Sequence, residues 1–131
     1  MKLLKVAICL VGCVFYLNGF AYPEVKSCGG IKASWYSEKS LKSEGTWTKS
    51  KGIMANGQSY NENYLTCATR LFPLGTTLRV TNTNNKKSVY VKVTDRIGKR
   101  FANSRIDLSK TAFSRIAKLN DGLCPITVEV Q

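Results

Sequence analysis

The 131-residue sequence contains no histidine. Nucleophilic sites of the Ser-His-Asp or Cys-His kind need an imidazole as the general base, so the sequence excludes them. Histidine is also a principal zinc ligand, and the cysteines are not spaced as zinc ligands are. We therefore expect neither a metal ion nor another cofactor.

Acidic residues are also few. Eight Asp and Glu stand against twenty Lys and Arg, which gives a formal net charge of +12. Such a charge favours polyanionic partners, namely nucleic acid, anionic lipid or a cell wall rich in carboxylate and phosphate. The basic residues are scattered, so charged faces that only contact solvent are an open alternative. A nucleic-acid interface requires clustered Lys and Arg with aromatic residues among them, and we expect no nucleic-acid partner.

One long apolar run stands near the start of the sequence. Two lysines precede residues 6–20, which are almost all apolar. Small residues stand at the end of this run, at Gly19 and Ala21. This pattern predicts a signal peptide over residues 1–21, and therefore a secreted or periplasmic protein. A retained membrane anchor is one alternative, although the run is shorter than the roughly 20 residues that a spanning helix needs. Lipid attachment at Cys13, within a lipobox-like sequence, is another.

After removal of the signal peptide, the chain would consist of a leader segment at residues 22–29 and one domain at residues 30–131. The loss of Lys2 and Lys5 lowers the net charge from +12 to +10. We expect this domain to be a monomer without a transmembrane span.

Five cysteines would fall to three after cleavage, namely Cys28, Cys67 and Cys124. An oxidising compartment favours a disulfide, and an odd number leaves one thiol over. The sequence does not choose among the three pairings. The one that we favour joins Cys67 to Cys124, because both flank predicted strands and Cys28 lies in the leader.

The clearest structural pattern is a hairpin at residues 76–96. Apolar and polar residues alternate on both sides of a polar turn, which is typical of two half-buried strands. The apolar series Val89, Val91 and Val93 continues by two to Asp95, where the second strand ends. We predict that this carboxylate lies at the rim of an apolar interior, and Asp95 is the first candidate for chemistry.

The other segments predict short strands and one helix. Residues 37–52 are polar and are interpreted as a long surface loop. A helix is expected to begin with Ser109 as its N-cap and to end at Asp121-Gly122. Strand patterns occupy residues 31–36, 65–69, 105–108 and 126–130. Five or six short strands with one short helix predict a mainly β protein, a small closed barrel.

Short motifs between residues 30 and 130 resemble, in the same order, those of the RlpA-like (rare lipoprotein A) proteins. They include Ala33-Ser34-Trp35-Tyr36, Ala55-Asn56-Gly57-Gln58, Pro73-Leu74-Gly75-Thr76, Thr94-Asp95-Arg96 and Ile106-Asp107-Leu108-Ser109. The resemblance implies a six-stranded double-psi β-barrel, also seen in expansins, with the short helix after the Ile106-Asp107-Leu108 strand. It also implies an exported protein that acts on or binds peptidoglycan. Active members are similar in cleaving glycan strands stripped of stem peptides, leaving an anhydro-sugar end without using water.

The resemblance implicates a glutamate, a histidine and an aspartate in the family's chemistry. The aspartate matches Asp95, but the other two positions hold Gln58 and Thr69 here, neither of which titrates near neutral pH. Two hypotheses follow. The first is a peptidoglycan lytic transglycosylase with Asp95 as its single acid/base, since the sugar's own hydroxyl attacks and one carboxyl group can first give and then accept the proton. The second is a non-catalytic, expansin-like module that binds wall glycan or polysaccharide.

Six further residues are predicted to bind the substrate. Either aromatic of the first strand can stack on a sugar ring, and the polar side chains can hydrogen-bond its hydroxyls. The set is Trp35, Tyr36, Gln58, Thr69, Arg96 and Asp107.

Two of the acids have simpler alternatives. Asp95 can be a buried carboxylate in an ion pair with Arg96 or Arg105. Asp107 precedes the predicted helix, and our preferred interpretation is that it caps the helix N-terminus. The remaining acids are interpreted as solvated: Glu38, Glu44, Glu62, Asp121 and Glu129.

Overall fold

The structure is a computed structural model that describes residues 30–131 and the backbone of two short strands before them. Those strands, β1 (Tyr16–Leu17) and β2 (Phe20–Ala21), pair antiparallel. Apart from them, the predicted signal peptide and leader segment, with Cys13 and Cys28, lie outside the described residues. In the described part of the chain, no helix has the length and apolar character needed to cross a membrane.

Six strands close into a barrel. They are β3 (Lys32–Tyr36), β4 (Thr66–Ala68), β5 (Thr77–Asn82), β6 (Ser88–Asp95), β7 (Arg105–Ser109) and β8 (Cys124–Val130). Their order around the barrel is β3-β7-β4-β6-β5-β8, and β8 pairs again with β3. The pairs β3–β7 and β4–β6 are parallel and the other pairs are antiparallel. The mainly β, closed barrel predicted from the sequence is confirmed.

The hairpin that alternation predicted is formed by β5 and β6. Leu78 pairs with Val91 and Val80 pairs with Val89, so the apolar residues of the two strands share one face. These side chains are buried in a core to which Phe113 also contributes. Burial of one side of each strand fixes this register, because a slip by one residue would expose every apolar side chain.

The segment predicted as a long surface loop is helical instead. It forms α1 (Glu38–Ser43) and α2 (Thr46–Ser50). Ser37 begins α1 with a capping box: its hydroxyl accepts from the Ser40 amide at 3.1 Å, and the Ser40 hydroxyl accepts from the Ser37 amide at 2.9 Å. Partly buried Leu41 and Trp47 pack against an apolar cluster outside the main core. Capping and this contact stabilise helices that the polar composition did not indicate.

The one helix that the sequence predicted is present as α3 (Lys110–Ile116), with Ser109 as its N-cap. It ends earlier than expected, and a 3₁₀ turn follows at Leu119–Asp121. The side chains of Asn82 and Asn85 donate to the Ile116 carbonyl at 2.8 and 2.9 Å. These amides from the hairpin satisfy a carbonyl at the end of the helix, so the chain can leave the helix there.

The expected disulfide between Cys67 and Cys124 is not formed. Both residues are buried free thiols, one in β4 and the other in β8, and these strands are not neighbours in the barrel. Burial raises the pKa of both thiols, that of Cys124 to about 11. They therefore serve as small apolar residues of the core.

Candidate functional site

A pocket of about 480 Å³ lies where β3, β4, β6 and β7 meet α1, α2 and a 3₁₀ turn at Lys99–Phe101. Three acids line it, namely Glu44, Asp95 and Asp107. Apolar contacts on one side come from a small cluster that includes Met54 and Tyr60. The pocket therefore combines carboxylates with an apolar wall.

A β-bulge places Asp95 in this pocket. Cys67 pairs with Val93 and Ala68 pairs with Asp95, so Thr94 is an extra residue in β6. A bulge of one residue changes the side to which the following side chains point. Thr94 is buried, and Asp95 is half-buried in the pocket wall. Asp95 thus lies at the rim, as predicted, but the alternation that led to it is interrupted one residue earlier.

Backbone amides hold the Asp95 carboxylate. Its Oδ1 accepts from the Ala55 amide at 3.0 Å and from the Arg96 amide at 2.8 Å. The ion pairs among residues 30–131 do not include Asp95. The alternative of a carboxylate paired with Arg96 or Arg105 is therefore not what the structure has.

The Arg96 side chain has a structural role beside the pocket. Its Nη1 donates to the carbonyls of Thr69 at 2.7 Å and Phe72 at 2.6 Å. It lines the pocket, but its hydrogen bonds hold the chain that follows β4.

Asp107, in the middle of β7, is the second carboxylate of the pocket. Its Oδ1 accepts from the Ser34 hydroxyl at 2.8 Å. Burial raises the pKa of Asp107 to about 6, while the Ser34 hydrogen bond and the charge of Arg105 lower it, and Glu44 and Asp95 raise it. The preferred interpretation of Asp107 as a helix cap is wrong, because Ser109 caps α3. A carboxyl group with this pKa exchanges its proton close to neutral pH.

Strand β4 brings the two aspartates together. Ala68 pairs with Asp95 on one side and with Asp107 on the other. Neighbouring strands are about 4.8 Å apart, so the two Cα atoms are separated by roughly 10 Å. Both side chains line the same pocket.

Of the two aromatic candidates, only Tyr36 reaches the pocket. Its ring stacks on Tyr60 with the centroids 4.5 Å apart, and its hydroxyl is buried without a hydrogen-bond partner in the described part of the chain. Burial and the nearby Asp95 raise the pKa of Tyr36, so the hydroxyl stays neutral and can donate. The Trp35 indole instead donates to the Leu119 carbonyl at 3.0 Å and lines a separate groove.

Gln58 and Thr69 do not join the site. Gln58 is exposed on the Asn-Gly turn, where its Oε1 accepts from the Asn56 side chain at 3.0 Å. Thr69 is fully buried, and its hydroxyl accepts from the Leu71 amide at 3.1 Å. Neither residue lines the pocket, so their predicted contacts with sugar hydroxyls are not supported.

Sequence reasoning missed one wall of the pocket. The residues of this wall include Arg100, Phe101 and Arg105. Glu44, which was interpreted as solvated, also lines the pocket, although its side chain is exposed. One signal was available, because Arg105 and Asp107 are two residues apart on a strand and so share a face. The other residues come from segments whose approach only the fold determines.

Comparison with known proteins gives a consistent result. The family model described as "Lytic transglycolase" matches residues 28–128. The endolytic peptidoglycan transglycosylase RlpA of Campylobacter jejuni is 41% identical over 122 residues, which cover 88% of this chain and 40% of that protein. The chain thus spans less than half the length of this relative.

Two solved structures share the fold. The Streptomyces papain inhibitor has a TM-score of 0.57 at 18% identity, covering 81% of this chain and 94% of that chain. A mutant Clavibacter michiganensis expansin in complex with cellohexaose has a TM-score of 0.52 at 19% identity, covering 77% and 48%. With the family match, these likenesses confirm the double-psi β-barrel that the motifs implied.

Proposed function

The chain belongs to the lytic transglycolase family as an RlpA-like double-psi β-barrel, and from that premise we propose that it cleaves peptidoglycan glycan strands by transglycosylation. One observation carries the proposal: Asp107 lines the pocket with a pKa raised by burial to about 6. A general acid must hold its proton near the working pH, and a carboxyl group with an ordinary pKa does not. The similarity to the endolytic peptidoglycan transglycosylase of Campylobacter jejuni supports the substrate class.

In the proposed reaction, Asp107 gives its proton to the glycosidic oxygen as the bond from that oxygen to the sugar's C1 breaks. The C6 hydroxyl of the same sugar then attacks C1 and closes an anhydro ring. Its proton passes to the Asp107 carboxylate, which restores the acid. No water is consumed, so a second carboxyl group is not needed as a base, in contrast to hydrolysis.

Asp95 was the sequence's candidate for this acid/base role, and it has a different place in the proposal. Two amides fix its Oδ1, whereas Asp107 is the carboxyl group that burial favours in its protonated form. We assign Asp95 to the stabilisation of positive charge that develops on the sugar ring as the bond breaks. Tyr36, which lines the pocket, is assigned to packing against the sugar.

The predicted signal peptide supports export, and we propose that the protein acts as a monomer in the periplasm or outside the cell. Peptidoglycan lies there, and the anionic cell wall matches the net charge of +10 that is left after removal of the predicted signal peptide.

A non-catalytic wall-binding module is the second candidate. It is favoured by the two positions where the family resemblance implies a glutamate and a histidine. Gln58 and Thr69 stand there, and neither lies in the pocket. If those positions are essential to the chemistry, the pocket binds glycan without cleaving it.

Digestion of purified glycan strands, stripped of stem peptides and analysed by mass spectrometry, tests the proposal. We expect anhydro-sugar ends from the wild type, and a loss of at least about 100-fold in rate for Asp107→Asn, which cannot donate the proton. The rate should fall as pH rises above about 6, where Asp107 loses its proton. Asp95→Asn should also be slower, and its fall in rate should begin at a lower pH, because the charge of Asp95 is one of the influences that raise the pKa of Asp107.

Asp121→Asn is the matched control, because it makes the same chemical change at an exposed residue outside the pocket. It should cleave as the wild type does. Binding of the strands without anhydro products would contradict the enzyme and favour the module. Full activity of Asp107→Asn would remove this residue from the mechanism.

A further inference from the structure

Ser34 and Asp107 meet because their strands pair in parallel register. Their Cα atoms are partners in the β3–β7 pair, and the Ser34 hydroxyl donates to Oδ1 of Asp107 at 2.8 Å. The neighbours of Ser34 on β3, Ala33 and Trp35, pack in the main core, so strand alternation turns Ser34 to the opposite face. Ser34 and Asp107 both line the pocket. Two strands of the barrel therefore fix this contact.

The two oxygens of the Asp107 carboxyl group have different surroundings. Oδ1 accepts the Ser34 hydrogen bond, whereas Oδ2 takes part in none of the hydrogen bonds and ion pairs within residues 30–131. A hydroxyl has one proton to donate, and here Oδ1 receives it. The hydrogen bond stabilises negative charge on Oδ1 and makes this oxygen the less basic of the two. When Asp107 binds a proton, Oδ2 therefore holds it.

Other charged and titratable groups face Asp107 without touching its carboxylate. Arg105 lowers the pKa of Asp107, and Glu44 and Asp95 raise it. The groups that face Asp107 are Arg105 on β7, Glu44 at the end of α1, Asp95 on β6, Tyr36 on β3, Cys67 on β4 and Tyr60 before β4. Within residues 30–131, Ser34 is the group that holds the carboxylate by a hydrogen bond.

The Arg105 guanidinium packs on an aromatic ring instead of pairing with the carboxylate. Its Cζ atom is 4.1 Å from the centroid of the Phe101 ring, and that of Arg100 is 4.5 Å from the same centroid. Both distances are within the range of cation–π attraction, about 6 Å. The ion pairs of residues 30–131 do not include Arg105 or Asp107. The charge of Arg105 thus acts on Asp107 through space and does not set the direction of the carboxyl group.

We propose that Ser34 is a positioning residue of the reaction, whose hydroxyl holds Oδ1 of Asp107 and leaves the transferable proton on Oδ2, towards the glycan. The inference rests on the proposed function and gives the two oxygens of the acid separate tasks. Oδ2 gives its proton to the glycosidic oxygen and receives one from the C6 hydroxyl. Without the Ser34 hydroxyl, the carboxyl group can turn about its Cβ–Cγ bond and either oxygen can hold the proton. A smaller fraction of the acid is then in position for the transfer.

Cleavage of purified glycan strands by Ser34→Ala, measured over a range of pH, tests this role. Two effects in opposite directions are expected. The pKa of Asp107 rises because the hydroxyl no longer lowers it, so cleavage should persist to a higher pH than in the wild type. At low pH, where Asp107 is protonated in both proteins, kcat should be about tenfold lower, because the proton is no longer held in one position. KM should stay within about twofold of the wild-type value, since the hydroxyl acts on the acid and not on the sugar.

Two further variants complete the test. Ser34→Thr keeps the hydroxyl on a side chain that suits a strand, so it should keep the kcat and the pH limit of the wild type. Ser114→Ala is the matched control, because it removes an exposed hydroxyl on α3, outside the pocket, that donates to the Thr111 carbonyl at 2.7 Å. It should behave as the wild type does. If circular dichroism shows that Ser34→Ala does not fold, Ser34→Cys replaces it, since a thiol is a weak donor.

Titration of the Asp107 carboxyl carbon by NMR measures the hydrogen bond without any cleavage. The midpoint should lie at a higher pH in Ser34→Ala than in the wild type, and Ser114→Ala should not move it. An unchanged midpoint in Ser34→Ala would mean that the hydroxyl does not hold the carboxylate, and it would overturn the proposal.

The remaining outcomes separate this inference from the proposed function. A lower kcat without the shift to higher pH would make Ser34 a structural residue only, and a shift with full kcat at low pH would show that the proton needs no positioning. A raised KM at unchanged kcat would assign the hydroxyl to sugar binding instead. Each of these results overturns the inference and leaves the enzyme standing. No cleavage by the wild type would refute the proposed function and the role in the reaction together, and the NMR titration would still show whether Ser34 holds Asp107.

Discussion

At the scale of single residues, Asp95 and Asp107 line one pocket but their carboxylates are held differently. Two backbone amides hold Asp95, whereas a single hydroxyl, that of Ser34, reaches Asp107. Burial outweighs that one hydrogen bond and raises the pKa of Asp107 to about 6. The chemistry proposed for the pocket depends on this difference in environment.

The raised pKa of Asp107 makes stability depend on pH. The folded value of about 6 exceeds the ordinary value of 3.8, so between the two the folded chain binds more protons than the unfolded chain. The free energy of unfolding therefore falls as pH rises through that window and stays lower above it. Asp107→Asn has no such loss. The free energy of unfolding of Asp107→Asn minus that of the wild type should therefore increase by about 2 kcal/mol from about pH 4 to pH 8, as measured by urea unfolding at both pH values.

A variant in the partner residue gives the control. Ser34→Ala removes the hydroxyl that lowers the pKa of Asp107, so this pKa should be higher in the variant. The unfolding free energy of Ser34→Ala should therefore go on falling above pH 6. A constant difference between Asp107→Asn and the wild type at all pH values would mean that the carboxyl group titrates as it does in the unfolded chain.

At the scale of elements, the pair α1–α2 forms a wall of the pocket and is held by a close contact. Trp47 of α2 lies against Gly52, where an added Cβ would meet the indole ring at 2.7 Å. Gly52 also has a left-handed backbone with φ of +72°. The absence of a side chain at this position lets the helix pack against the chain that leads to Met54.

Alanine substitutions at Gly52 and Gly57 separate the cost of the left-handed backbone from the cost of displacing Trp47. Gly57 has a similar φ of +86° but open space around it. Gly57→Ala should cost about 1–2 kcal/mol of stability for the backbone alone, and Gly52→Ala about 1–3 kcal/mol more because Trp47 must move. Urea unfolding of both variants measures the difference. Equal losses would show that the Trp47 contact contributes little.

At the scale of the whole molecule, barrel closure decides which residues meet. The order β3-β7-β4-β6-β5-β8 puts β4 between the strands of the two aspartates and keeps β4 away from β8. The same order therefore builds the site and separates Cys67 from Cys124. Both thiols contribute apolar volume to the core in place of a covalent link.

Alkylation tests that separation. In the folded protein, iodoacetamide should leave Cys67 and Cys124 unmodified, because both are buried and their pKa values are raised. After unfolding in urea without reductant, both should be alkylated fully, as read by peptide mass spectrometry. Recovery of the two peptides joined by a disulfide would contradict the structure.

The sequence by itself determined the β5–β6 hairpin, the N-cap of α3 and the family. Alternation with period two, a capping serine and ordered motifs are local signals. Each of them depends only on residues that are close together in the sequence. It also placed Asp95 at the end of β6. Only the tertiary structure decided that Asp107 is the desolvated acid and that Arg100 and Arg105 share one ring. Ser34 and Asp107 are 73 residues apart, and burial, pKa and charge pairing depend on distances in space that the spacing of residues in a chain does not contain.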